Sequence, residues 1–236
     1  MVNGTEHESE IEDLNVLRNV AEDLKTPLLR ILTQLELNRL NPAGDTKDAE
    51  VVADAALRLL DSYILSTQSY TRQQELLLEP VAAQAIIYDC DQYLSKLARL
   101  HGVETSYDFQ RSVGLVMANS RALAGAITSL AYSFLYNCEP GQKHSMTFTL
   151  RRSKHGVDIG LFSNEFNIST SSLQKLRQLK GVARQLSPDF AHGSSAGIII
   201  ADRLCTKMNV QLKTTRFKKM SGLTFSLVPS KQLSLV

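Results

Sequence analysis

Two short segments carry groups that could take part in chemistry. In AEDLKTPLLRI, Glu22, Asp23 and Thr26 lie just before a proline, and carboxylates and hydroxyls can position water or move a proton. In GSSAG (193–197), two glycines precede an apolar helical run, and backbone N–H groups at the start of a helix can hold an anion. For the first segment, the spacing alone is also that of an ordinary solvated helix face.

Bulk composition excludes several classes of protein. The chain has 236 residues, 43% of them hydrophobic and 21% charged, which fits one large domain or two small ones. The net charge of +2 gives no strong attraction to nucleic acid or to an anionic membrane. No apolar run approaches the roughly 18–20 residues that span a bilayer, and the start, MVNGTEHESE, is not signal-like. We therefore expect a cytoplasmic protein with no nucleic-acid partner and no membrane insertion.

The cysteines and histidines do not form a pattern of metal ligands. The three cysteines are widely spaced in mainly apolar segments without a C-x-x-C pair, and the five histidines are scattered. Zinc sites and disulfide frameworks both need characteristic spacings. We expect free, buried thiols and no metal site.

Residues 1–78 have the apolar pattern of an antiparallel helical hairpin. A heptad seam runs through Leu14, Leu17, Ala21, Leu24, Leu28, Ile31 and Leu35. The segment NRLNPAGDTKD then predicts a turn. A second helix follows from about Asp48 to Glu75, and the hairpin is predicted to be the dimerisation domain.

The second predicted helix has an unusually wide apolar face. One stripe contains Val52, Ala56, Leu59 and Tyr63, and the neighbouring stripe contains Ala53, Leu57, Leu60 and Ile64. A single partner helix would leave much of this surface in water, at about 25 cal/mol per Å² of apolar area. We therefore expect two hairpins to close a four-helix bundle, which makes the protein a homodimer.

Residues 79–236 combine helical and strand patterns. Helices are predicted at about 81–100 and 120–136, and in the segments STSSLQKLRQLKGVARQLS and SAGIIIADRLCTKM. Strands are predicted in GVETSYDF, SMTFTLRRS, GVDIGLFS, VQLKTTRF and LTFSLVP. An antiparallel or mixed sheet with helices on one face makes an α/β sandwich, so the chain belongs to the α+β class.

Three motifs follow one another along the chain: AEDLKTPL (21–28), LLLEPVAAQAI (76–86) and SGLTFSLVP (221–229). They are similar to the patterns S-H-E-L-R-T-P-L, L-x-x-E-P-V-x-L and G-S-T-F-x-F-x-L-P of bacterial sensor histidine kinases. With the order of the elements, they make nearly the whole chain resemble a histidine kinase core. That core is a dimerising phosphoacceptor hairpin followed by an ATP-binding domain.

The resemblance implies a kinase that lacks its phosphoacceptor, magnesium-binding and adenine-binding residues. Glu22 stands where the family has its phosphoacceptor histidine. Thr128 and Tyr132 align with the Mg²⁺-binding N-x-x-x-N, and a phenol is a poor ligand for Mg²⁺, which prefers compact oxygen ligands. Ser163 and Asn164 begin the segment that replaces the adenine-binding D-x-G-x-G, so a charged hydrogen-bond acceptor worth roughly 1.5–3 kcal/mol is missing.

The phosphate loop is partly retained, since Gly193 and Gly197 keep the outer glycines of G-x-G-x-G. We still expect ATP and Mg²⁺ binding to be lost or very weak, so no cofactor is predicted. The degenerate nucleotide site comprises Thr128, Tyr132, Ser163, Asn164, Gly193 and Gly197. Leu173, Leu176 and Leu179 predict a packed amphipathic helix in place of the family's flexible nucleotide lid.

Two functional hypotheses follow. The first is a catalytically inactive, dimeric signalling protein that binds a response-regulator receiver domain or an active histidine kinase. The second is a response-regulator phosphatase, because Asp23 and Thr26 keep the family's [E/D]-x-x-[T/N] motif, in which the threonine helps to orient a water. Arg30, one turn further on, could contact an acidic regulator surface or simply be solvated.

A phosphotransfer protein would need a bundle histidine, and the hairpin offers only His7 near its start. A regulator built on the sandwich alone would not require the heptad hairpin.

Overall fold

A computed structural model describes residues 28–29, 31, 33, 35–36, 47–67, 76–111, 113–138, 143–164, 168–178 and 195–231. The described residues between 28 and 36 are helical, as the heptad seam predicts. The rest of the first predicted helix lies outside the described residues, so the hairpin, the four-helix bundle and the homodimer stay predictions. The domain boundary between residues 78 and 79 also stays a prediction.

Within these ranges, the predicted helices and strands occur in the predicted order, and two short strands that were not predicted, Glu79–Val81 and Val116–Ala118, are added. The helices are α1 (Lys47–Thr67), α2 (Ala83–Leu100), α3 (Ser120–Tyr136), α4 (Thr170–Gln178) and α5 (Ser195–Lys207). The strands are β1 (Glu79–Val81), β2 (Val103–Phe109), β3 (Val116–Ala118), β4 (His144–Ser153), β5 (Gly156–Ser163), β6 (Lys213–Phe217) and β7 (Met220–Leu227).

The strands form one mixed sheet and one short ribbon. The main sheet has the order β2-β4-β5-β7-β6, in which β2 and β4 are parallel and the other neighbours are antiparallel. The parallel pair is possible because β3 and α3 carry the chain back between β2 and β4. The ribbon pairs β1 with β3, so Pro80 lies in a short strand. The α+β class is confirmed.

The core lies between the sheet and a layer of helices. Its largest fully buried side chains come from both layers, including Phe148 and Phe225 from the sheet and Leu94, Leu123 and Ile198 from the helices. Nearly every residue of α3 from Ala122 to Leu135 is buried, because neighbouring helices and the sheet surround this helix.

Helix α1 packs directly on α2, α3 and α5. Leu59 of the first apolar stripe is buried in the core that these helices share and has no exposed surface, and Tyr63 packs against this core. Lys207 at the end of α5 donates a hydrogen bond to the main-chain carbonyl of Leu65, 3.1 Å away. The second stripe remains open, with Leu57 62% and Ile64 46% exposed. The part of the first stripe formed by Leu59 and Tyr63, which was used to predict a four-helix bundle, is therefore covered by the helices of the sandwich.

Two of the three thiols that were expected to be buried are buried. Cys90 and Cys205 are buried, Cys138 is half-buried, and all three thiols are free. Burial raises the pKa of the Cys90 thiol, so it stays protonated near neutral pH. None of the helices in the described part of the chain is long and apolar enough to cross a membrane.

Candidate functional site

Helices α3 and α5 are in direct contact at Gly197. A methyl group added at Gly197 would overlap the main-chain oxygen of Ser129 and the Oγ atom of Ser133. Only glycine lets the first turn of α5 approach α3 this closely. The beginning of α5 therefore lies against the middle of α3 without a gap.

Ser129 and Ser133 were not singled out by the sequence. If the pattern N-x-x-x-N is moved by one residue, these two serines take the positions of its asparagines. Their Oγ atoms are buried and have no hydrogen-bond partner among the described residues. The signal that could have found them is the row of small residues Gly125, Ser129 and Ser133, spaced four apart in an otherwise apolar helix.

Thr128 and Tyr132, the predicted magnesium positions, face α1 and α2. The hydroxyl of Thr128 donates to the main-chain oxygen of Ala124 (2.7 Å) and is hydrogen-bonded to the phenol of Tyr93 on α2. Tyr132 is buried, and its ring stacks on Tyr136 with the ring centres 4.2 Å apart. Thr128 thus links α3 to α2, and both residues are buried.

The end of β5 is closed by local hydrogen bonds. Ser163 is buried and pairs with Met146 of β4 and Ser221 of β7. The side-chain oxygen of Asn164 accepts hydrogen bonds from the backbone N–H and the hydroxyl of Ser145, at 3.0 and 3.1 Å. At the predicted adenine position, the first residue is thus neutral and the second is bonded to the neighbouring strand.

The predicted lid segment begins with a packed helix. Leu173 and Leu176 of α4 are buried, as the amphipathic pattern predicts. Arg177 binds Asp202 of α5, and hydrogen bonding to this carboxylate raises the pKa of the guanidinium. Leu179 lies outside the described residues.

Polar groups also link α1 to α2. Asp54 and Arg58 of α1 form an ion pair of 2.7 Å, and the Arg58 guanidinium lies over the ring of Tyr93, 3.9 Å from its centre. Burial raises the pKa of the Tyr93 phenol well above its ordinary value. The phenol therefore stays neutral and serves as a hydrogen-bonding group between helices.

Several predicted site residues lie outside the described part of the chain, namely Glu22, Asp23, Thr26, Arg30 and Gly193. Within the described ranges, no three His, Cys, Asp or Glu side chains are grouped so that they could hold a metal ion.

Sequence and structure comparisons give different results. No protein-family model and no curated protein sequence matches the chain. The structure is similar to the histidine kinase AdeS of Acinetobacter baumannii, with a TM-score of 0.54 and 10% identity over 88% of this chain and 98% of that one. It is also similar to the nucleotide-free catalytic domain of the histidine kinase ThkA, with a TM-score of 0.51 and 10% identity over 65% of this chain and 99% of that one.

The chain has a histidine-kinase-like fold. The resemblance inferred from three motifs is therefore confirmed at the level of the fold, whereas sequence identities near 10% carry no information about activity.

Proposed function

We propose that this chain is a catalytically inactive histidine-kinase-like signalling protein of the cytoplasm. It forms a homodimer through its helical hairpin and binds a response-regulator receiver domain or an active histidine kinase in a two-component pathway. The observation that carries the proposal is the burial of Thr128 and Tyr132, the two residues aligned with the magnesium-binding asparagines, among helices α1, α2 and α3.

The composition of α3 supports the loss of magnesium binding. Between Ser120 and Tyr136 the helix contains no Asp, Glu, Asn or Gln. Mg²⁺ requires hard oxygen ligands in a near-octahedral arrangement and is usually held by carboxylates and phosphates. The flanking asparagines have other roles, since Asn119 caps the start of α3 and Asn137 donates to the main-chain oxygen of Ser133.

The end of β5 supports the loss of adenine recognition. A serine hydroxyl at position 163 cannot replace the negative charge of a carboxylate as acceptor for the adenine amine. A hydrogen bond to a charged group contributes about 1.5–3 kcal/mol, which corresponds to roughly a 10- to 100-fold loss of affinity. With the magnesium contacts also missing, ATP binding falls below the range that supports catalysis.

The test is incubation with radiolabelled ATP and Mg²⁺, together with isothermal titration of the same ligand. We expect neither label on the protein nor heat of binding. Label that appears on the protein and disappears in Glu22→Ala would contradict the proposal. Binding of purified phosphorylated and unphosphorylated receiver domains, measured by titration, tests the partner.

Dimerisation is supported by the open apolar stripe of α1. Leu57 and Ile64 are exposed there, and Leu28 and Leu35 are exposed on the preceding helix. Four large apolar side chains on one hairpin are a surface that association would bury. Sedimentation velocity tests this part of the proposal, and a monomer at micromolar concentration would contradict it.

The motif Asp23-x-x-Thr26 favours a second candidate, a response-regulator phosphatase. Hydrolysis of an acyl phosphate needs a positioned water and no histidine nucleophile. The measurement is the decay of a phosphorylated regulator with and without this protein. We expect faster decay that Thr26→Ala abolishes and that the control Thr33→Ala preserves, since the Thr33 hydroxyl donates within its own helix to Leu29. Unchanged decay would eliminate this candidate.

A further inference from the structure

A cavity of about 200 Å³ lies where α1 crosses α2 and α3. Its apolar lining includes Ala55, Leu94 and Leu97, all of them buried. Tyr93 and Thr128 add hydroxyl-bearing side chains to the wall. The volume is below the roughly 300–1,000 Å³ of drug-sized ligand sites, so it suits a ligand smaller than a drug molecule.

Two opposite charges line the same cavity from different helices. Glu50 on α1 and Lys96 on α2 are both exposed, and neither forms an ion pair or a side-chain hydrogen bond with another residue in the described ranges. Asp54, the other acidic residue of the lining, is already paired with Arg58. One carboxylate and one ammonium group are therefore available to a ligand with complementary charges.

We propose that this cavity binds a free α-amino acid with an apolar side chain. The ammonium group of the ligand pairs with Glu50 and its carboxylate pairs with Lys96. The side chain of the ligand packs on Leu94 and Leu97, where burial of its apolar surface is favourable. A zwitterion with one apolar branch matches the charges, the lining and the volume together.

The proposed ligand would contact both α1 and the helical layer below it. Because it binds only when Glu50 of α1 and Lys96 of α2 are close together, it stabilises the docked position of α1. This inference goes beyond the proposed function, because it concerns what the protein senses and does not depend on whether ATP or a receiver domain binds.

The experiment is isothermal titration of the full chain with L-leucine and L-phenylalanine at millimolar concentration, with thermal unfolding in parallel. Leucine amide, which lacks the carboxylate, and 4-methylpentanoate, which lacks the amine, are matched ligand controls. We expect saturable binding and a raised Tm with the amino acids. Each control ligand should bind on the order of 10- to 100-fold more weakly, because one charged contact is missing.

Four variants locate the binding site. Glu50→Gln and Lys96→Met should each weaken leucine binding on the order of 10- to 100-fold. Asp48→Asn on α1 and Lys154→Met in the β4–β5 turn remove charges away from the cavity and should leave binding unchanged. Circular dichroism of each variant checks the fold, and exchange of these surface charges is not expected to unfold it.

Two results would overturn the proposal. The first is the absence of binding by either amino acid to the folded chain. The second is binding that Glu50→Gln and Lys96→Met leave as strong as in the control variants, because the amino acid would then occupy another site. Neither result bears on autophosphorylation, so a failure here is distinct from a failure of the proposed function.

Discussion

Arg177 on α4 forms a bidentate ion pair with Asp202 on α5. Its Nε atom lies 3.0 Å from Oδ2 and 3.2 Å from Oδ1 of the carboxylate. Its Nη2 atom donates to Oδ1 and to the main-chain oxygen of Leu212, the latter at 2.6 Å. Asp202 is only 7% exposed, so one guanidinium joins two helices and the segment that leads into β6.

Arg177→Met should loosen α4, because the largely buried carboxylate of Asp202 loses its partner. Hydrogen bonds to charged groups contribute about 1.5–3 kcal/mol, and partial exposure of Arg177 places the loss near the lower value. Urea unfolding measures the free energy, and hydrogen exchange of the α4 amides shows whether the effect is local. Lys175→Met, on the exposed side of the same helix, is the matched control. Equal hydrogen-exchange rates of the α4 amides in Arg177→Met and Lys175→Met would contradict the role of Arg177 in holding α4.

Leu59 and Leu57 belong to different apolar stripes of α1, so substitutions at these two positions test the stripes separately. Leu59→Ala should lower the free energy of unfolding by about 2–5 kcal/mol, because its side chain is fully buried against the helical layer. Leu57→Ala should change it by less than about 0.5 kcal/mol in the monomer, because this side chain is 62% exposed. Urea unfolding of both variants provides the measurement.

Leu57→Glu tests what covers the open stripe. A charge placed in a buried dimer interface is strongly unfavourable, so the variant should shift the protein from dimer to monomer in sedimentation velocity while keeping its circular dichroism spectrum. A dimer of unchanged stability would mean that the second stripe is not the interface.

Gly197→Ala should destabilise the contact between α3 and α5. The added methyl group would overlap the main-chain oxygen of Ser129, and backbone atoms cannot move aside as a side chain can. Overpacking of this kind costs about 1–3 kcal/mol. In the control Gly125→Ala, the new methyl would meet side-chain atoms of Leu204 and Ser62 at 3.0 and 3.1 Å. Because alanine also favours helix, that variant should be nearly neutral. Chemical unfolding compares the two, and equal losses would argue against the close contact.

Asp108 makes stability depend on pH in the acid range. Partial burial acts to raise the pKa of its carboxyl, but hydrogen bonds from Lys218 and Arg151 outweigh this effect and lower the pKa. A lowered folded-state pKa gives a stabilising contribution that is complete above the unfolded value of about 3.9 and is lost as pH falls through the folded value. Asp108→Asn should therefore lose less stability than the parent chain below about pH 4. Urea midpoints measured from neutral pH into the acid range check this, with Asp61→Asn as the control. Parallel curves for Asp108→Asn and the parent would refute the prediction.

The sequence predicts most elements of this fold because their patterns are local. Alternation of apolar residues marks β4, β5 and β7, and helical periodicity marks α2 and α5. The direction of β2 is not encoded in this way, since alternation is the same in parallel and antiparallel strands. The partner of an apolar stripe is not encoded either, which is why the docking of Leu59 on the helical layer was not foreseen.

The candidate site was harder to predict for a related reason. Most residues of α3 are buried, so the helix has no polar face. Without such a face, the sequence does not show which residues of α3 align with the two asparagines of N-x-x-x-N. Thr128 and Tyr132 lie one position before Ser129 and Ser133, and only the structure shows which pair meets Gly197. The position of Ser163 at the end of β5 follows from the sequence, because the change in pattern marks the end of a strand, but its role stays a prediction.

The docking of α1 on three helices has a mechanical consequence. A segment joined to a domain by a loose hinge can swing while the domain stays still. Here, Leu59 is enclosed by the helical layer and Lys207 holds the carbonyl of Leu65. A rotation imposed on α1 from its N-terminal side would therefore be transmitted to the helical layer and to the sheet beneath it.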